Sequence, residues 1–274
     1  MHVRTRHRRP LAATVALSVA LALPVLATAG PAAAATPATR PAAAPSNNAL
    51  AVLSDLLARL LPALAPNTVP GTPPAANAGV TASTVRVSGT ACGFRLTGSG
   101  FAAAPDTVVT NAHVVAGTAN TTVLRPDGKT LPAQVQVFDP DRDLAVLAVP
   151  GLGEAPLSLA PATVGETDAI YGHPEGQAAV DVSPAQVVRR VNVDLGDIYG
   201  GAAGQHQILV LNANLQPGHS GSPVVNSAGK VVGVAFAVAN LRRSTAFAVA
   251  SEEVTPVLAQ PRNGPVSTGP CIEE

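Results

Sequence analysis

The chain has 274 residues and 17 basic against 17 acidic side chains, so its formal net charge is zero. Charged residues make up only 12%, which excludes a basic stripe able to grip nucleic acid or an anionic lipid surface. Tryptophan is absent and aromatics reach 3%, so any core is built from Val, Leu and Ala, the material of many short strands.

Arg4, Arg6, Arg8 and Arg9 stand near the start with no acid among them, and residues 11–26 are almost unbroken apolar sequence. Ala27-Thr28-Ala29 and Ala33-Ala34-Ala35 follow as small-x-small cleavage options, so residues 1–29 read as a secretory signal. The apolar run is short for a span of about 20 residues and Pro24 interrupts it, so cleavage is expected rather than a retained anchor. Losing the segment takes four arginines from the 17 basic residues and leaves 13 against 17 acidic ones. The expected product is a mildly acidic protein, secreted or held in the periplasm or cell envelope, with no stable membrane span.

Residues 30–79 are dominated by Ala, Pro, Thr and Asn and read as a semi-extended linker. Within it, leucines at 53, 56, 57, 60, 61 and 64 mark residues 50–64 as a one-faced helix. So short a helix needs packing to persist, and it is expected to lie on the parent domain.

Residues 80–274 suffice for one domain with a sizeable core. Cys92 and Cys271 are the only cysteines, one near each end of this domain. In an exported protein an even pair points to a disulfide, with two free thiols as the competing reading. Neither has a His or Cys at ligand spacing, so no metal is expected.

Apolar or alternating runs recur at 93–96, 107–110, 121–125, 131–138 and 144–149. A second set lies at 168–171, 185–193, 207–212, 223–226, 230–238 and 245–249. Asp127-Gly128 and Ala228-Gly229 are hairpin signals between runs. Only the turn after His113 and a stretch capped by Ser251, with Glu252 and Glu253 in its first turn, read as helical. Many strands with almost no helix predict an all-β domain. The Pro- and Gly-rich stretch 150–156 splits the strands into two groups, so two barrels flanking a cleft are expected, at about 80–150 and 160–250.

Three stretches carry chemistry. Ser220 lies in Pro217-Gly218-His219-Ser220-Gly221-Ser222-Pro223, where two glycines permit a sharp, exposed turn and two prolines stiffen its flanks. Backbone N–H groups of Gly218 and Ser220 in such a turn can converge on a developing oxyanion, commonly worth about 3 kcal/mol per donor. Ser222 replaces the second glycine of the Gly-x-Ser-x-Gly elbow and no helix pattern follows, which argues against an α/β-hydrolase. His113 ends a Val-Val-Thr strand and is the candidate base; His173, His206 and His219 are rivals. His219 adjoins Ser220, but successive side chains in a tight turn point apart. Asp143 precedes the apolar run 144–149 and is the candidate orienting carboxylate, shielded from water. Asp139 and Asp141 are close rivals that lie further into the turn, where solvent is expected to reach them.

At these residues the chain resembles the trypsin-like serine proteases of the chymotrypsin fold, specifically the bacterial exported ones of HtrA type. The resemblance is carried by Gly98-Ser99-Gly100-Phe101, Val108-Val109-Thr110-Asn111-Ala112-His113, Asp143-Leu144-Ala145-Val146-Leu147 and the Ser220 segment, in that order. Gly172-His173-Pro174-Glu175-Gly176, Val231-Val232-Gly233-Val234 and Ala246-Phe247-Ala248-Val249 match secondary blocks, so the likeness covers about residues 85–255. It implies two six-stranded antiparallel β-barrels with a short C-terminal helix, and a Ser220-His113-Asp143 triad that hydrolyses polypeptides through an acyl-enzyme without cofactor or metal. It also implies a specificity pocket lined by Asn214, Phe236, Ala237, Val238 and Ala246. Asn214 at the pocket floor is no acid, so apolar or small residues are expected before the scissile bond. His219 stands where the family usually has Asn or Asp, and Ser222 where it often has Gly. A non-catalytic or latent protease-like binding module is the alternative, and nothing in the sequence speaks to oligomeric state.

Overall fold

Strand alternation and glycine placement build two antiparallel sheets in the computed structural model, which describes residues 70–239 and 242–272. All of these belong to one unit, Ala44–Glu274. The expected signal, most of the linker and the helix at 50–64 lie outside the described residues.

A short helix, α1 (Ala78–Ser83), opens the domain; Asn77 caps it by accepting the N–H groups of Gly79 and Val80 on its Oδ1. The first sheet follows as β1 (Thr84–Ala91), β2 (Phe94–Ala104), β3 (Thr107–Thr110), β4 (Ala119–Leu124), β5 (Thr130–Pro132), β6 (Gln134–Asp139) and β7 (Leu144–Ala148), with helix α2 (Ala112–Val115) after β3. Its order is β5-β4-β1-β2-β3-β7-β6, a curled sheet of seven strands that stays open. The six-stranded count expected for this half is exceeded because the run 131–138 divides at Ala133. There the Ala133 N–H leaves its own strand to bond Thr121 C=O at 2.9 Å.

The second sheet comprises β8 (Thr167–Gly172), β9 (Asp181–Asp194), β10 (Gln205–Ala213), β11 (Pro223–Val225), β12 (Val231–Ala239) and β13 (Arg242–Ala250). These six close into a barrel in the order β10-β13-β12-β11-β8-β9. A last helix, α3 (Ser251–Leu258), follows. Ser251 is not its N-cap, as expected, but its first residue; the hydroxyl is drawn instead to Ala160 C=O at 2.6 Å.

Each sheet buries one face. Val85, Val87, Val108, Val123 and Leu147 fill the first, and Ile170, Val187, Leu209, Leu211 and Val224 fill the barrel. The opposite faces meet through a third cluster in which Phe101, Leu144 and Val146 pack with Tyr171, Ile208 and Phe247. A cleft between two such bodies is the usual place for a ligand site.

Cys92, in the β1–β2 turn, is bonded to Cys271 with Cα atoms 6.1 Å apart, so the free-thiol alternative falls away. Among the described residues no helix is long and apolar enough to cross a membrane.

Candidate active site

His113 sits in α2, directly beyond the buried end of β3. Asn111, before the helix, donates its side-chain amide to Asp143 C=O at 2.8 Å and so ties the helix start to the Asp143 turn. The Asp143 carboxylate in return accepts the backbone N–H of His113 at 2.9 Å. Ring atom Nδ1 of His113 lies 2.7 Å from Asp143 Oδ2 and 3.0 Å from Oδ1. An ionised carboxylate only accepts, so the proton resides on Nδ1 and leaves Nε2 free to act as a base. Asp143 is 8% exposed, which shields the pair from water.

Asp139 does not face solvent as expected. It is equally buried, because Arg142 donates to it from the backbone N–H at 3.0 Å and from Nη1 at 3.1 Å. Arg142 Nε reaches Glu253 of α3 at 3.1 Å, and Glu253 also takes the Gln207 N–H at 2.9 Å and His206 Nδ1 at 3.2 Å. Burial pushes the Glu253 carboxyl up, but the bonds from Gln207, His206 and Arg142 outweigh it and hold the group below its ordinary range. The Asp143 turn is thus braced from behind by the C-terminal helix. Asp141 is exposed and carries none of this.

The Ser220 turn is held by its carbonyl groups. Pro217 C=O accepts from Glu175 N–H at 2.6 Å, and His219 C=O accepts from Ser222 N–H at 2.9 Å. A trans peptide directs its N–H opposite to its C=O, so the N–H groups of Gly218 and Ser220 are turned away from those partners. Neither donates to an acceptor among the described residues. Gly221 has φ +86°, and a Cβ there would fall 2.0 Å from Ser99 C=O, so only glycine lets the turn approach β2 this closely.

Ser99 is the functional residue that motif reading passes over. Its N–H donates to Ser220 C=O at 2.7 Å, its hydroxyl donates to Gly218 C=O at 2.7 Å, and the same hydroxyl accepts His173 N–H at 2.9 Å. The signal lay in the Gly98-Ser99-Gly100 block, whose serine had been given no task.

Ser220 and His113 share one cleft of about 350 Å³, lined also by Arg95, Thr97, Glu175 and Gly218. No other described histidine lines it. The His173 ring is fully buried and bonds Gln177 C=O at 3.0 Å, His206 is engaged with Glu253, and His219 is 2% exposed. No hydrogen bond joins Ser220 to His113; Ser220 Oγ donates to Phe236 C=O at 3.4 Å. Catalytic hydrogen bonds are often long before substrate arrives. Among the described residues no cluster of His, Cys, Asp or Glu has metal-binding geometry.

Residues 98–234, half of the chain, match the trypsin-like peptidase domain. The chain belongs to that family. This trypsin-like peptidase domain is 38% identical over 181 residues to serine protease Rv3671c of Mycobacterium tuberculosis H37Rv, an alignment spanning 65% of the chain but 45% of that protein. It is also 34% identical over 146 residues to a probable periplasmic serine endoprotease, DegP-like, of Chlamydia pneumoniae, covering 52% of the chain and 28% of that protein. The chain therefore spans less than half of the curated relatives it matches. Among solved structures, the active form of the Rv3671c protease superposes with a TM-score of 0.69 at 34% identity, covering 75% of this chain and 95% of that one.

The residues expected to line the peptidase's specificity pocket are scattered in burial. Asn214 is exposed, whereas Phe236 is 5% and Ala246 0% exposed. Ala237 and Val238 lie in β12, opposite Phe247 and Ala246 of β13. The Phe236 ring packs on Phe247 with centroids 6.4 Å apart, in the cluster between the sheets. Its carbonyl, not its ring, faces Ser220.

Proposed function

We propose that the protein is an exported serine endopeptidase in which Ser220 attacks a peptide carbonyl, His113 takes and returns the proton, and Asp143 orients His113. The observation that carries this reading is the 2.7 Å contact between His113 Nδ1 and Asp143, in a cleft that Ser220 shares. Asp143 fixes the tautomer, stabilises the imidazolium that forms, and is not itself protonated. The free amides of Gly218 and Ser220 hold the oxyanion of the tetrahedral intermediate. Collapse of that intermediate transfers the proton from His113 to the leaving amine and leaves an acyl-Ser220, which water then hydrolyses by the same steps. No cofactor enters this scheme. Export rests on the basic, apolar and small-residue order of residues 1–29; residues 30–79 act as a linker and residues 80–274 as the peptidase domain.

The pocket for the residue before the scissile bond is assigned to Asn214, Ala246 and the β12 edge. With an amide rather than an acid at its floor, it takes apolar or small side chains, and the Phe236 ring, committed to Phe247, does not narrow it.

The test compares the parent with Ser220→Ala on an unfolded protein substrate, with a fluorophosphonate probe alongside. Cleavage and labelling by the parent, both lost in the variant, are expected; a parent that does neither sinks the enzymatic reading. One observation favours a latent form: Ser220 Oγ is turned to Phe236 C=O rather than to His113. A lag in cleavage that preincubation with a peptide shortens is the sign of that state.

A further inference from the structure

His219 stands between Gly218 and Ser220, whose amides the proposed mechanism assigns to the oxyanion, and that scheme gives its side chain no task. Nδ1 of its ring accepts the Gln216 N–H at 3.0 Å, while the His219 backbone N–H donates to Gln216 C=O at 3.0 Å. One turn is therefore closed twice, once through the ring and once through the main chain. The ring has no room to swing: it is 2% exposed, and a Cβ on Gly172 would come within 2.9 Å of its Cδ2. Because Nδ1 accepts, the proton of the neutral imidazole sits on Nε2. Nε2 is buried without a hydrogen-bond partner, and Asp181 Oδ2, at the first residue of β9, is 3.9 Å away.

We propose that His219 is a positioning residue for the oxyanion turn. Its neutral ring, protonated on Nε2 toward Asp181, keeps the Gly218 and Ser220 amides convergent by accepting Gln216 N–H, and a proton added at Nδ1 releases that turn. The inference rests on the reading of Ser220 as nucleophile. An imidazolium has two donors and no acceptor, so it sets N–H against N–H at Gln216. Burial favours the neutral ring and holds its pKa below the ordinary imidazole value, against the opposing pulls of Asp181 and of the Gln216 backbone. The turn's stabilisation is therefore complete above the ordinary value and is lost as pH falls through the lowered one. Asp181 is the charged group acting on the ring. Gly172 of β8, Gln216 and Ser222 carry no charge. Ser99 of β2, bonded to Gly218, is also neutral, and the buried His173 lies behind it.

Three variants test this in the purified protein, with thermal melting as the check on folding. His219→Leu, close in size but without an acceptor, is expected to lower kcat by about 10²-fold, the scale of one lost oxyanion donor, with KM little changed. His219→Asn restores an acceptor and is expected to bring kcat back to within several-fold of the parent. The acid limb of log(kcat/KM) is expected to be one proton steeper in the parent than in His219→Asn, because the parent needs both His113 and His219 neutral. Asp181→Asn, which removes the pull toward the charged ring, is expected to move that second step to lower pH. Parental kcat in the Leu variant, or identical acid limbs in the parent and the Asn variant, overturns the proposal. Should the Leu variant fail to fold, the comparison of acid limbs decides. A parent that does not label at Ser220 overturns the peptidase reading and this one together; a labelling parent with indifferent variants overturns only the role of His219.

Discussion

Asp143 adopts φ +53°, the left-handed region that costs an L-residue roughly 1–2 kcal/mol and that Asp and Asn tolerate best. That backbone turns both carboxylate oxygens onto His113 while the Asp143 carbonyl is held by Asn111. Asp143→Asn keeps the backbone preference but sets an amide against Nδ1–H, so the ring is driven to the wrong tautomer. A fall in kcat of about 10³–10⁴-fold with an unchanged melting temperature is expected, while Asp139→Asn loses stability and keeps most of its activity. A larger kcat loss in the Asp139 variant would reverse the assignment. Asp168 is a carboxyl in the opposite situation. It is fully buried with both oxygens unpartnered, and burial, aided by Glu166, raises its carboxyl to about 7. A raised carboxyl stabilises the fold while protonated, below the unfolded value near 3.8, and that contribution is lost as pH rises toward 7. Asp168→Asn should therefore melt higher than the parent at pH 8 and about equally at pH 4; a lower melting point at pH 8 would mean the carboxylate has a partner.

At the scale of elements, the sequence reading succeeded where periodicity was clean and failed where tertiary contact overrode it. The run 144–149 follows its carboxylate legibly because Leu144, Ala145, Val146 and Leu147 are all buried, as a strand between two sheets must be. β1 was absent from the expected strands although Val85 and Val87 alternate with Thr84, Arg86 and Ser88, the period of a half-buried strand. β2 and β4 pair along both its edges. β2 was expected to stop at residue 96, yet it runs to Ala104 through Gly98 and Gly100. Those glycines let Val114, Val108 and the Ser220 carbonyl approach the strand. Asp139 was taken as solvated from its place in the turn; its partner Arg142 is itself held by Glu253 of α3, more than a hundred residues later. That link makes its own prediction. Arg142 is the side chain joining the Asp143 turn to Glu253, so Arg142→Ala removes one charged donor each from buried Asp139 and half-buried Glu253 and should cost about 1–3 kcal/mol. A denaturation midpoint unchanged from the parent would show that α3 does not brace the turn.

Across the whole molecule, the segment after α3 returns from the closed barrel to the open sheet. Arg262 donates to Thr107 Oγ1 at 3.1 Å, Val266 N–H to Val135 C=O at 2.9 Å, and Gly117 N–H to Thr268 C=O at 3.0 Å. Tyr199, beside the barrel, donates its hydroxyl to the carbonyl groups of Thr268 and Pro270. Cys271 then closes a loop with a sequence separation of 179 onto Cys92. Chain entropy alone assigns such a loop about 5 kcal/mol, and removal of a native bridge typically costs about 2–5 kcal/mol. At about 2–4 °C per kcal/mol for a domain of this size, a Cys92→Ser, Cys271→Ser double variant should melt about 4–20 °C lower. The bridge also bears on function, because Cys92 lies in the turn that leads directly into Arg95, Leu96 and Thr97, one wall of the cleft. Freeing that turn loosens the wall without touching His113, Asp143 or Ser220. The double variant should therefore raise KM by up to about tenfold, equivalent to about 1.4 kcal/mol of binding, and leave kcat near parental. A fall in kcat at unchanged KM would place the effect of the clasp on the triad itself rather than on the wall that holds the substrate.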